Sequence, residues 1–573
     1  SDINLSHYVP YAKEAKAYNV ASNQQISHTT NNIAFVQGTV AGTFYQQLLS
    51  QTQTDLLSGA TSTTTNTYDN INFGTVVSST TDINGIESTT TQATYTQAGY
   101  VTNPSLPDLV TVTRTRNGQT TATDKIKFFY DGAGRVSNRI DKYQTPYYVS
   151  NLYQYNGFGN VIEDKKLNIL QTSPNPNTIT DNYTYDSKGR FVESATNPLG
   201  QTSYTTWHSV WGKPLTTTGI DDLVTTYTYD NWGKLTSTKV KTGLPEEETV
   251  TYSDGWDLNW IQAYYTLVSH PNKPDVKTWY DKLGRAIKSQ TEHLNGHWTE
   301  STKTYDVLGH VWQETSPRLI TEPVFTTTYD FSDPHNRLTS VTNNLGTTNY
   351  SYSFLGSGKS KVTITDAGGQ NKSTTTDATG KIVETEDNGG KLFYTYDSRG
   401  NSLAVKLSLS TILSHSYNSF GVKTNTYDVS AGITTYVYDA FGRLKSEKDA
   451  KSQTHTFRYN ELGLLTQRTG PEGTTYLSYY GDGNGYANQI ATVSGFNGVS
   501  ENYYYDNLGR LTQKDKVIEG HSYSTSYTYD NNDNLTKKEY GDGFYINYNY
   551  TNGFLNSVVQ PLQHLLPIHI TPS

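Results

Sequence analysis

The chain has 573 residues and a formal net charge of −9, and no block of Lys or Arg stands out in it. This charge pattern gives no support to nucleic-acid binding, and no apolar run approaches the roughly 20 residues of a membrane-spanning helix. The absence of Cys excludes disulfides and thiolate metal sites. Hydrophobic residues make up only 34% of the chain and include 47 Tyr. Charged residues are also few, at 17%, and aromatic residues reach 13%, which indicates a folded, strand-rich chain rather than a disordered one.

The first 60 residues lack the repeat that dominates the rest of the chain. Residues 42–59, GTFYQQLLSQTQTDLLSG, place apolar residues three and four apart, which predicts a short helix. We expect residues 1–60 to form a small cap or linker before a sheet, with a plug at the open end of that sheet as the alternative. The N-terminus has no signal-peptide pattern and no initiator Met, so we expect a fragment of a longer product.

One motif recurs from residue 61 to residue 557. It reads Tyr-x-Tyr-Asp-x-x-Gly, followed by Arg, Lys or Asn and then an apolar residue. Its Tyr recurs every 21 residues from Tyr396 to Tyr459, and 25 residues separate Tyr280 from Tyr305. This period fits one supersecondary unit rather than a domain. The motif residues of the best copies, to which we assign a structural role, are Tyr130, Asp131, Gly134, Arg135, Tyr185, Asp186, Gly189, Arg190, Tyr229, Asp230, Gly233, Tyr280, Asp281, Gly284, Arg285, Tyr305, Asp306, Gly309, Tyr396, Asp397, Gly400, Tyr438, Asp439, Gly442, Arg443, Tyr505, Asp506, Gly509 and Arg510.

Each copy of the motif predicts a β-hairpin. Tyr-x-Tyr alternates as a strand does, with its aromatic rings on one face. Asp can accept a hydrogen bond from the backbone two residues on, and Gly adopts the positive φ that ends a short hairpin loop. The stretch after Gly alternates again, and a second turn follows, as in NPLGQT. Tandem hairpins therefore predict roughly 40 short strands.

A chain of hairpins must build a sheet, because a lone hairpin is marginal in water. A β-propeller would use repeats of about 40–50 residues, twice the length seen, and a parallel β-helix lacks hairpin turns. The predicted fold class is therefore all-β, with one long antiparallel sheet of tandem hairpins that curls into a hollow shell, incomplete in this chain. Residues 558–573 break the pattern and are expected to lie inside the shell or to be discontinuous with it.

Candidate chemistry in the chain is better explained by structure. A catalytic site is not copied once per repeat, so the motif Asp is predicted to cap its turn. The Arg after Gly is predicted to bridge to a neighbouring repeat, with binding of an anionic guest as the alternative. His293 and His297 would face one way only on a helix, but Asn-Gly between them signals a turn. The segment DNNDN at residues 530–534 matches a calcium loop only in part. We therefore predict no catalytic residue, metal or cofactor.

The segments YDGAGRVSN, YDSKGRFVE, YDKLGRAIK, YDAFGRLKS and YDNLGRLTQ resemble the Rhs, or YD-repeat, family over residues 60–557. That family includes bacterial polymorphic toxins, the shell components of insecticidal Tc toxin complexes and the animal teneurins. The resemblance implies a spiralling β-sheet shell that encloses a C-terminal toxin domain until delivery. Family toxins end the shell with an Asp-Pro-x-Gly motif, whereas Asp-Pro occurs here only at Asp333-Pro334, before His. Self-cleavage is therefore not assigned to this chain.

The function expected from these observations is a non-enzymatic container in a secreted or cell-surface bacterial toxin. Its expected partners are the encapsulated toxin polypeptide, on the same or an associated chain, and a secretion or delivery machinery. A cell-surface adhesin that binds glycan or another cell is the alternative, and a hydrolase built as a propeller is the third hypothesis. The three hypotheses predict an internal void, exposed aromatic residues on an open sheet, and a cleft with converging carboxylates, respectively.

Overall fold

The computed structural model describes residues 12–18, 23–37, 44–56, 58–69, 75–95, 106–143, 149–169, 176–257, 263–293, 296–481 and 485–560. No α-helix occurs in these ranges, and 46 strands do. The expected C-terminal tail lies outside the described residues from residue 561 onward.

The first half of the strands runs from residue 14 to residue 315. They are β1 (Glu14–Tyr18), β2 (Gln25–Gln37), β3 (Phe44–Asp55), β4 (Thr61–Asp69), β5 (Thr75–Ile83), β6 (Glu87–Thr94), β7 (Leu109–Arg116), β8 (Ala122–Tyr130), β9 (Val136–Asp141), β10 (Val149–Tyr155), β11 (Val161–Asn168), β12 (Thr178–Tyr185), β13 (Val192–Thr196), β14 (Thr202–Trp207), β15 (Pro214–Thr218), β16 (Val224–Tyr229), β17 (Leu235–Val240), β18 (Glu248–Asp257), β19 (Ala263–Ser269), β20 (Val276–Tyr280), β21 (Ala286–Glu292), β22 (Trp298–Tyr305) and β23 (Val311–Thr315).

The second half runs from residue 318 to residue 559. They are β24 (Arg318–Leu319), β25 (Thr326–Asp330), β26 (Ser340–Asn343), β27 (Gly346–Gly356), β28 (Lys359–Thr365), β29 (Asn371–Thr376), β30 (Ile382–Asp387), β31 (Gly390–Tyr396), β32 (Ser402–Leu407), β33 (Ser410–Tyr417), β34 (Lys423–Asp428), β35 (Gly432–Tyr438), β36 (Leu444–Lys448), β37 (Thr454–Tyr459), β38 (Leu465–Gly470), β39 (Gly473–Tyr479), β40 (Ile490–Ser494), β41 (Ser500–Tyr505), β42 (Leu511–Ile518), β43 (His521–Tyr529), β44 (Leu535–Tyr540), β45 (Tyr545–Thr551) and β46 (Phe554–Val559).

Consecutive strands pair antiparallel as tandem hairpins, for example β16 with β17 and β17 with β18. All the described strands belong to one sheet. The order departs from simple succession at β22, whose C-terminal part pairs with β23 and whose N-terminal part pairs with β24, while β23 also pairs with β25. The predicted all-β class and the single antiparallel sheet of tandem hairpins are confirmed.

The helix expected within residues 42–59 is wrong, because Phe44–Asp55 forms strand β3. This strand pairs along its length with β2 on one side and with β4 on the other. Those backbone hydrogen bonds outweigh a weak local pattern of apolar spacing. The sheet therefore begins before the first recognisable motif copy.

A β-bulge follows the motif turn in many of the described hairpins. In the β16–β17 hairpin Thr228 lies opposite Ser237 and Tyr229 lies opposite Leu235, so Thr236 is an extra residue on the returning strand. The register shifts in the same place at the motif tyrosines of other hairpins, which are Tyr280, Tyr305, Tyr396, Tyr438, Tyr505 and Tyr529. A bulge bends its strand and increases the local twist. The sheet is thus twisted at one defined position in each of these hairpins.

The sheet has almost no apolar core. Among the described residues the buried apolar side chains are Ala122, Ile140 and Trp279. Hydroxyl groups pair across strands instead, at distances of 2.9 Å for Thr64 with Thr81 and 3.0 Å for Thr80 with Thr90. Such cross-strand pairs contribute roughly 0.2–1 kcal/mol each. The abundance of Thr and Ser therefore has a structural role in these ladders.

The chain divides into two compact units. The first consists of Ser1–Gln154, Asp164–Ser173 and Thr328–Thr454, and the second of Tyr155–Glu163, Pro174–Thr327 and His455–Ser573. Each unit thus combines hairpins from an earlier part of the sequence, which we call its early run, with hairpins from a later part, which we call its late run. Within each unit the two runs are joined by side-chain contacts, described below.

Glycine in the motif turn can meet two structural requirements, a positive φ and close contact with a neighbouring side chain. Gly233 has a φ of +78°, which favours glycine. A Cβ added there would also lie 2.9 Å from the Trp211 ring of the preceding hairpin. Gly442 has a similar φ of +84°, but a Cβ added there would meet nothing within 4 Å. Substituting these two glycines therefore separates the cost of backbone strain, which both share, from the cost of a steric clash between hairpins, which only Gly233 has.

We predict that Gly233→Ala lowers the free energy of unfolding by more than Gly442→Ala does. Both changes force Ala to a positive φ, at a cost of about 1–2 kcal/mol. Gly233→Ala must also displace the indole of Trp211, which adds roughly 1–3 kcal/mol. The two variants are compared by urea unfolding followed by tyrosine and tryptophan fluorescence, and equal midpoints would contradict the close packing of Trp211 on Gly233.

Candidate functional site

Each motif turn is organised by its carboxylate. Asp281 accepts hydrogen bonds at Oδ1 from the backbone N–H groups of Leu283 and Arg285, both at 2.9 Å. Its Oδ2 accepts from Arg285 Nε at 2.7 Å. One side chain thus satisfies two backbone donors and pairs with the cation four residues on. The same arrangement of carboxylate and Arg occurs at Asp131 with Arg135, Asp186 with Arg190, Asp439 with Arg443 and Asp506 with Arg510.

Other residues replace Arg in the remaining copies. His310 Nδ1 lies 2.8 Å from Asp306 Oδ2, and Asn401 donates to Asp397 Oδ2 at 2.9 Å. Lys234 donates its backbone N–H to Asp230, while its ammonium group pairs with Asp254 on strand β18. The carboxylate therefore caps the turn whichever residue follows Gly.

The carboxylates of Asp131, Asp281 and Asp306 are held ionised. At Asp131 the backbone N–H of Arg135 is the largest influence, and the pKa falls below its ordinary value. At Asp281 burial acts to raise the pKa, but the backbone N–H and guanidinium of Arg285 outweigh it, so the pKa is lowered. Burial is similarly outweighed at Asp306, where His310 supplies the main hydrogen bonds. Each such turn is therefore an ion pair or a charge-assisted cap at neutral pH.

The prediction that motif arginines bridge to a neighbouring repeat was incomplete. Their closest partner is the Asp of their own turn, as described above. The same guanidinium also reaches the next hairpin: that of Arg285 lies 4.5 Å from the ring centroid of Tyr305. Arg510 lies 5.0 Å from the centroid of Tyr529 and donates to the Asp530 carbonyl at 2.9 Å. A motif Arg thus fixes its own turn and its neighbour together.

The motif Tyr makes the reverse connection, to the preceding hairpin. The Tyr305 hydroxyl donates to the carbonyl of Ala286 at 2.7 Å, and that of Tyr529 donates to Leu511 at 2.9 Å. In these two bonds the acceptor is the residue directly after the motif Arg of the preceding hairpin, next to its bulge. The same bond links Tyr130 to Pro107, Tyr185 to Val161, Tyr229 to Pro214 and Tyr396 to Ile382.

Two of the three remaining motif tyrosines lie against the rings of other tyrosines. The Tyr280 ring stacks on Tyr264 with 5.1 Å between centroids, and the Tyr505 ring meets Tyr480 edge-on at 6.0 Å. Burial raises the pKa of Tyr438 and Tyr505, as it does that of Tyr529. The raised pKa keeps the phenols of Tyr438, Tyr505 and Tyr529 neutral at physiological pH.

The Asp333-Pro334 segment is a motif turn that sequence reasoning missed. Asp333 accepts from the backbone N–H groups of His335 and Arg337, and the Arg337 guanidinium pairs with it at 2.7 Å. Asn336 occupies the position of Gly with a φ of +57°. The sequence signal that could have found this turn is an Asp followed four residues later by Arg, with Asn in place of Gly at the position that needs a positive φ.

The two metal candidates are turns. The backbone N–H of His293 donates to the carbonyl of His297 at 2.6 Å, so the pair closes a hairpin rather than sharing a helix face. Asp530 caps a motif turn through the N–H groups of Asn532 and Asn534. Among the residues that the structure describes, no group of three His, Cys, Asp or Glu side chains is placed to hold a metal. The same residues include no helix long and apolar enough to span a bilayer.

The motif turns all lie along one edge of the hairpin ribbon, which we call the motif edge; the other turns lie along the opposite edge. In the first unit, motif-edge turns of the late run contact opposite-edge turns of the early run. Arg399 lies 3.0 Å from Asp124, and the Ser398 hydroxyl donates to the Thr120 carbonyl. These residues are 275 and 278 positions apart in the chain.

The second unit repeats this arrangement. Gln201 and Asn488 exchange side-chain hydrogen bonds at 3.0 and 2.8 Å. Lys241 lies 2.7 Å from Asp533, 292 positions later in the chain. In both units, therefore, turns on the motif edge of the late run pack against turns on the opposite edge of the early run. This edge-to-edge contact is the candidate functional feature of the structure.

A buried ion cluster forms part of this contact in the first unit. Arg116 lies 2.8 Å from Glu87 and also pairs with Asp377 of the late run, and the two side chains of that second pair are only 9% and 4% exposed. Burial acts to raise the pKa of Asp377, but the Thr379 hydroxyl and Arg116 outweigh it, so its pKa is lowered. The Arg116 guanidinium also lies 5.6 Å from the Tyr396 ring centroid.

Comparison with known families identifies the repeat. The family model for the RHS Repeat matches residues 427–475. The chain contains an RHS repeat. This match confirms the resemblance to the Rhs/YD-repeat family at the β34–β39 hairpins, and the motif turns at Asp439 and Asn460 lie within it. No curated protein matches the chain.

Solved structures share the fold. The chain is similar to the crystal structure of TcdB2-TccC3-TEV, with a TM-score of 0.74 and 11% identity over 94% of this chain and 40% of that one. It is also similar to the Tc holotoxin pore of Photorhabdus luminescens carrying a TccC3 substitution, with a TM-score of 0.76 and 11% identity over 96% of this chain and 40% of that one. The RHS-repeat chain thus spans about two fifths of the length of these solved chains.

We predict that Tyr529→Phe destabilises the protein by about 1–3 kcal/mol, because the partly buried carbonyl of Leu511 loses the phenol as a donor. Tyr504→Phe is the matched control, since Tyr504 is on β41 of the preceding hairpin and its side chain is exposed. Both are measured by urea unfolding. A Tyr529→Phe variant as stable as the control would show that the hydroxyl bond does not link hairpins.

We predict that acid weakens the contact between the two runs of the first unit. The lowered pKa of Asp377 stabilises the fold above the ordinary Asp pKa of about 3.9, and this contribution is lost as the pH falls through the lower pKa of the folded state. Asp377→Asn should remove part of that pH dependence, whereas Asp366→Asn, in an exposed turn, should not. Unfolding midpoints measured from pH 7 to pH 3 test this, and parallel curves for wild type and Asp377→Asn would contradict it.

Proposed function

We propose that this sheet is part of the wall of a secreted or cell-surface bacterial Rhs-type toxin, and that the wall encloses a toxic polypeptide until delivery. The observation that carries the proposal is the seating of one run of hairpins on another within each unit. A ribbon that stacks on itself edge to edge makes a continuous surface. The RHS repeat and the fold shared with TcdB2-TccC3 support this interpretation.

The composition of the sheet suits a wall. Its cohesion comes from backbone ladders, turn carboxylates and tyrosine hydroxyls rather than from a second layer packed on an apolar face. A single layer can therefore separate two aqueous spaces without burying a large apolar area. A wall protects its contents by steric exclusion and requires no reactive group, so we propose no enzymatic activity for this segment.

The proposed partner is a toxin polypeptide on the same or an associated chain, which is exported together with the wall. Two of the similar solved structures are named as TcdB2-TccC3 together with TEV and with Cdc42. We infer that the wall recognises its contents weakly and holds different polypeptides by exclusion. An adhesin role would instead require the isolated sheet to bind glycan or cells.

The test is limited proteolysis of the full-length product that contains this chain. We expect a segment outside the wall sequence to resist protease in the wild type, and to be digested in Arg116→Ala, which removes the ion pair between hairpin runs. Arg468→Ala is the matched control, because Arg468 is exposed and pairs with Glu472 of the same hairpin. Equal digestion in wild type and Arg116→Ala from the first time point would contradict enclosure.

A further inference from the structure

Each unit has a histidine at the contact between its two runs. In the first unit His335 belongs to a motif turn of the late run, and its Nε2 lies 3.4 Å from Asp55 Oδ1 of the early run. In the second unit His270 lies in the turn between β19 and β20 of the early run. Asn272 of that turn donates to Asn532 of the late run at 3.3 Å. Both imidazoles are mostly buried, with exposed fractions of 20% and 26%.

Each of these rings has a buried nitrogen without a hydrogen-bond partner. The buried side-chain atoms that bond to no other described residue include His335 Nδ1, His270 Nδ1 and Glu248 Oε1. The last two lie 3.6 Å apart, which is longer than a hydrogen bond, and the Glu248 side chain is only 7% exposed. Leaving such atoms unsatisfied is costly in a folded protein. A proton shared between this nitrogen and this oxygen would satisfy both.

Carboxylates outnumber cations around His270. The charged side chains of this site are one ammonium and three carboxylates, those of Lys273, Glu248, Asp275 and Glu292. The ammonium lies 2.9 Å from Glu248 Oε2, so it leaves the oxygen that faces the imidazole without a partner. The late-run residues that contact this turn, Asn532 and Gly553, carry no charge. A positive imidazole would therefore reduce an excess of negative charge here.

The surroundings of His335 have the same imbalance. Its Nδ1 lies 4.0 Å from Asp333 Oδ1, and its Nε2 faces Asp55. The cation of this site is Arg337, which pairs with Asp333 at 2.7 Å. Tyr352 of β27 packs against the guanidinium and is neutral, since burial raises its pKa. Two carboxylates thus face one permanent cation, and a charged imidazole would balance them.

We propose that protonation of His270 and His335 strengthens the contact between the early and late runs of each unit as the pH falls below neutrality. An imidazole ordinarily gains its proton between about pH 7 and pH 5.5. Once charged, His270 Nδ1 donates to Glu248 Oε1 and His335 Nε2 donates to Asp55 in charge-assisted hydrogen bonds. The inference concerns these contacts alone and does not depend on an enclosed polypeptide.

The expected pH dependence has a defined sign. The unfolded chain offers the charged imidazoles no such partners, so the stabilisation is present below about pH 6 and is lost as the pH rises above it. The effect of Asp377 described above has the opposite sign and lies at lower pH, below about pH 4. Stability of the first unit is therefore expected to be greatest in mild acid, between these two transitions.

The test is urea unfolding of the purified chain at pH 7.5 and pH 5.5. The wild-type midpoint should be higher at pH 5.5, and a variant with both His270→Gln and His335→Gln should lose most of that rise. His521→Gln is the matched control, because His521 is exposed on strand β43, and it should keep the full rise. Circular dichroism at both pH values establishes that each variant is folded before urea is added.

Removal of the carboxylate partners provides a second, independent test. Glu248→Gln should reduce the rise in midpoint as much as His270→Gln does, and combining the two changes should reduce it no further, because both remove the same interaction. Asp55→Asn and His335→Gln should show the same relation. A wild-type midpoint that does not rise at pH 5.5, a double histidine variant that rises as much as wild type, or additive losses from Glu248→Gln and His270→Gln would overturn the proposal.

Discussion

The hydrogen bond between a motif tyrosine and the preceding hairpin is the interaction on which the sheet depends. A hairpin alone is marginal, and this sheet has almost no apolar core with which to hold one hairpin against the next. The Tyr305 hydroxyl reaches the carbonyl of Ala286, and the Arg285 guanidinium lies over the Tyr305 ring. Each hairpin is therefore joined to its neighbour by side chains as well as by the backbone ladder. The repeat recurs because every hairpin needs the same two connections.

The turn carboxylate makes that connection possible. The carboxylate of Asp281 holds the side chain of Arg285 within their shared turn, and this positions the guanidinium over the ring of Tyr305 in the next hairpin. The bulge after the turn twists the strand at the residue whose carbonyl accepts the hydroxyl. Turn, bulge, tyrosine and arginine thus form one structural unit.

Much of this local structure could be predicted from the sequence, because it depends on residues close together in the chain. Alternation of Tyr and the Asp-x-x-Gly spacing predicted the hairpin and its turn. The Asp333 turn was missed because Asn336 replaces Gly there. The bulge at Thr236 has no signal in the amino-acid sequence. The apolar spacing around Leu48 predicted a helix, but hydrogen bonding to a strand on each side makes this segment a strand.

The edge-to-edge contacts could not be predicted, since their partners lie 260 to 292 residues apart and are ordinary polar side chains. Gln201 and Asn488 have no sequence signature that relates one to the other. Only the path of the whole ribbon within a unit brings such residues together. The function proposed here rests on that path, whereas the repeat motif by itself accounts only for the ribbon.

The most direct measurement of this central claim is disulfide formation in a chain that naturally has no Cys. Gln201→Cys combined with Asn488→Cys should form an intramolecular bond under mild oxidation, because the two side chains are in hydrogen-bond contact. Gln201→Cys combined with Asn532→Cys should not, since Asn532 contacts Asn272 instead. Peptide mapping identifies the bond. Failure of the first pair to link, or linkage of both pairs at the same rate, would contradict the stacking of one hairpin run on the other.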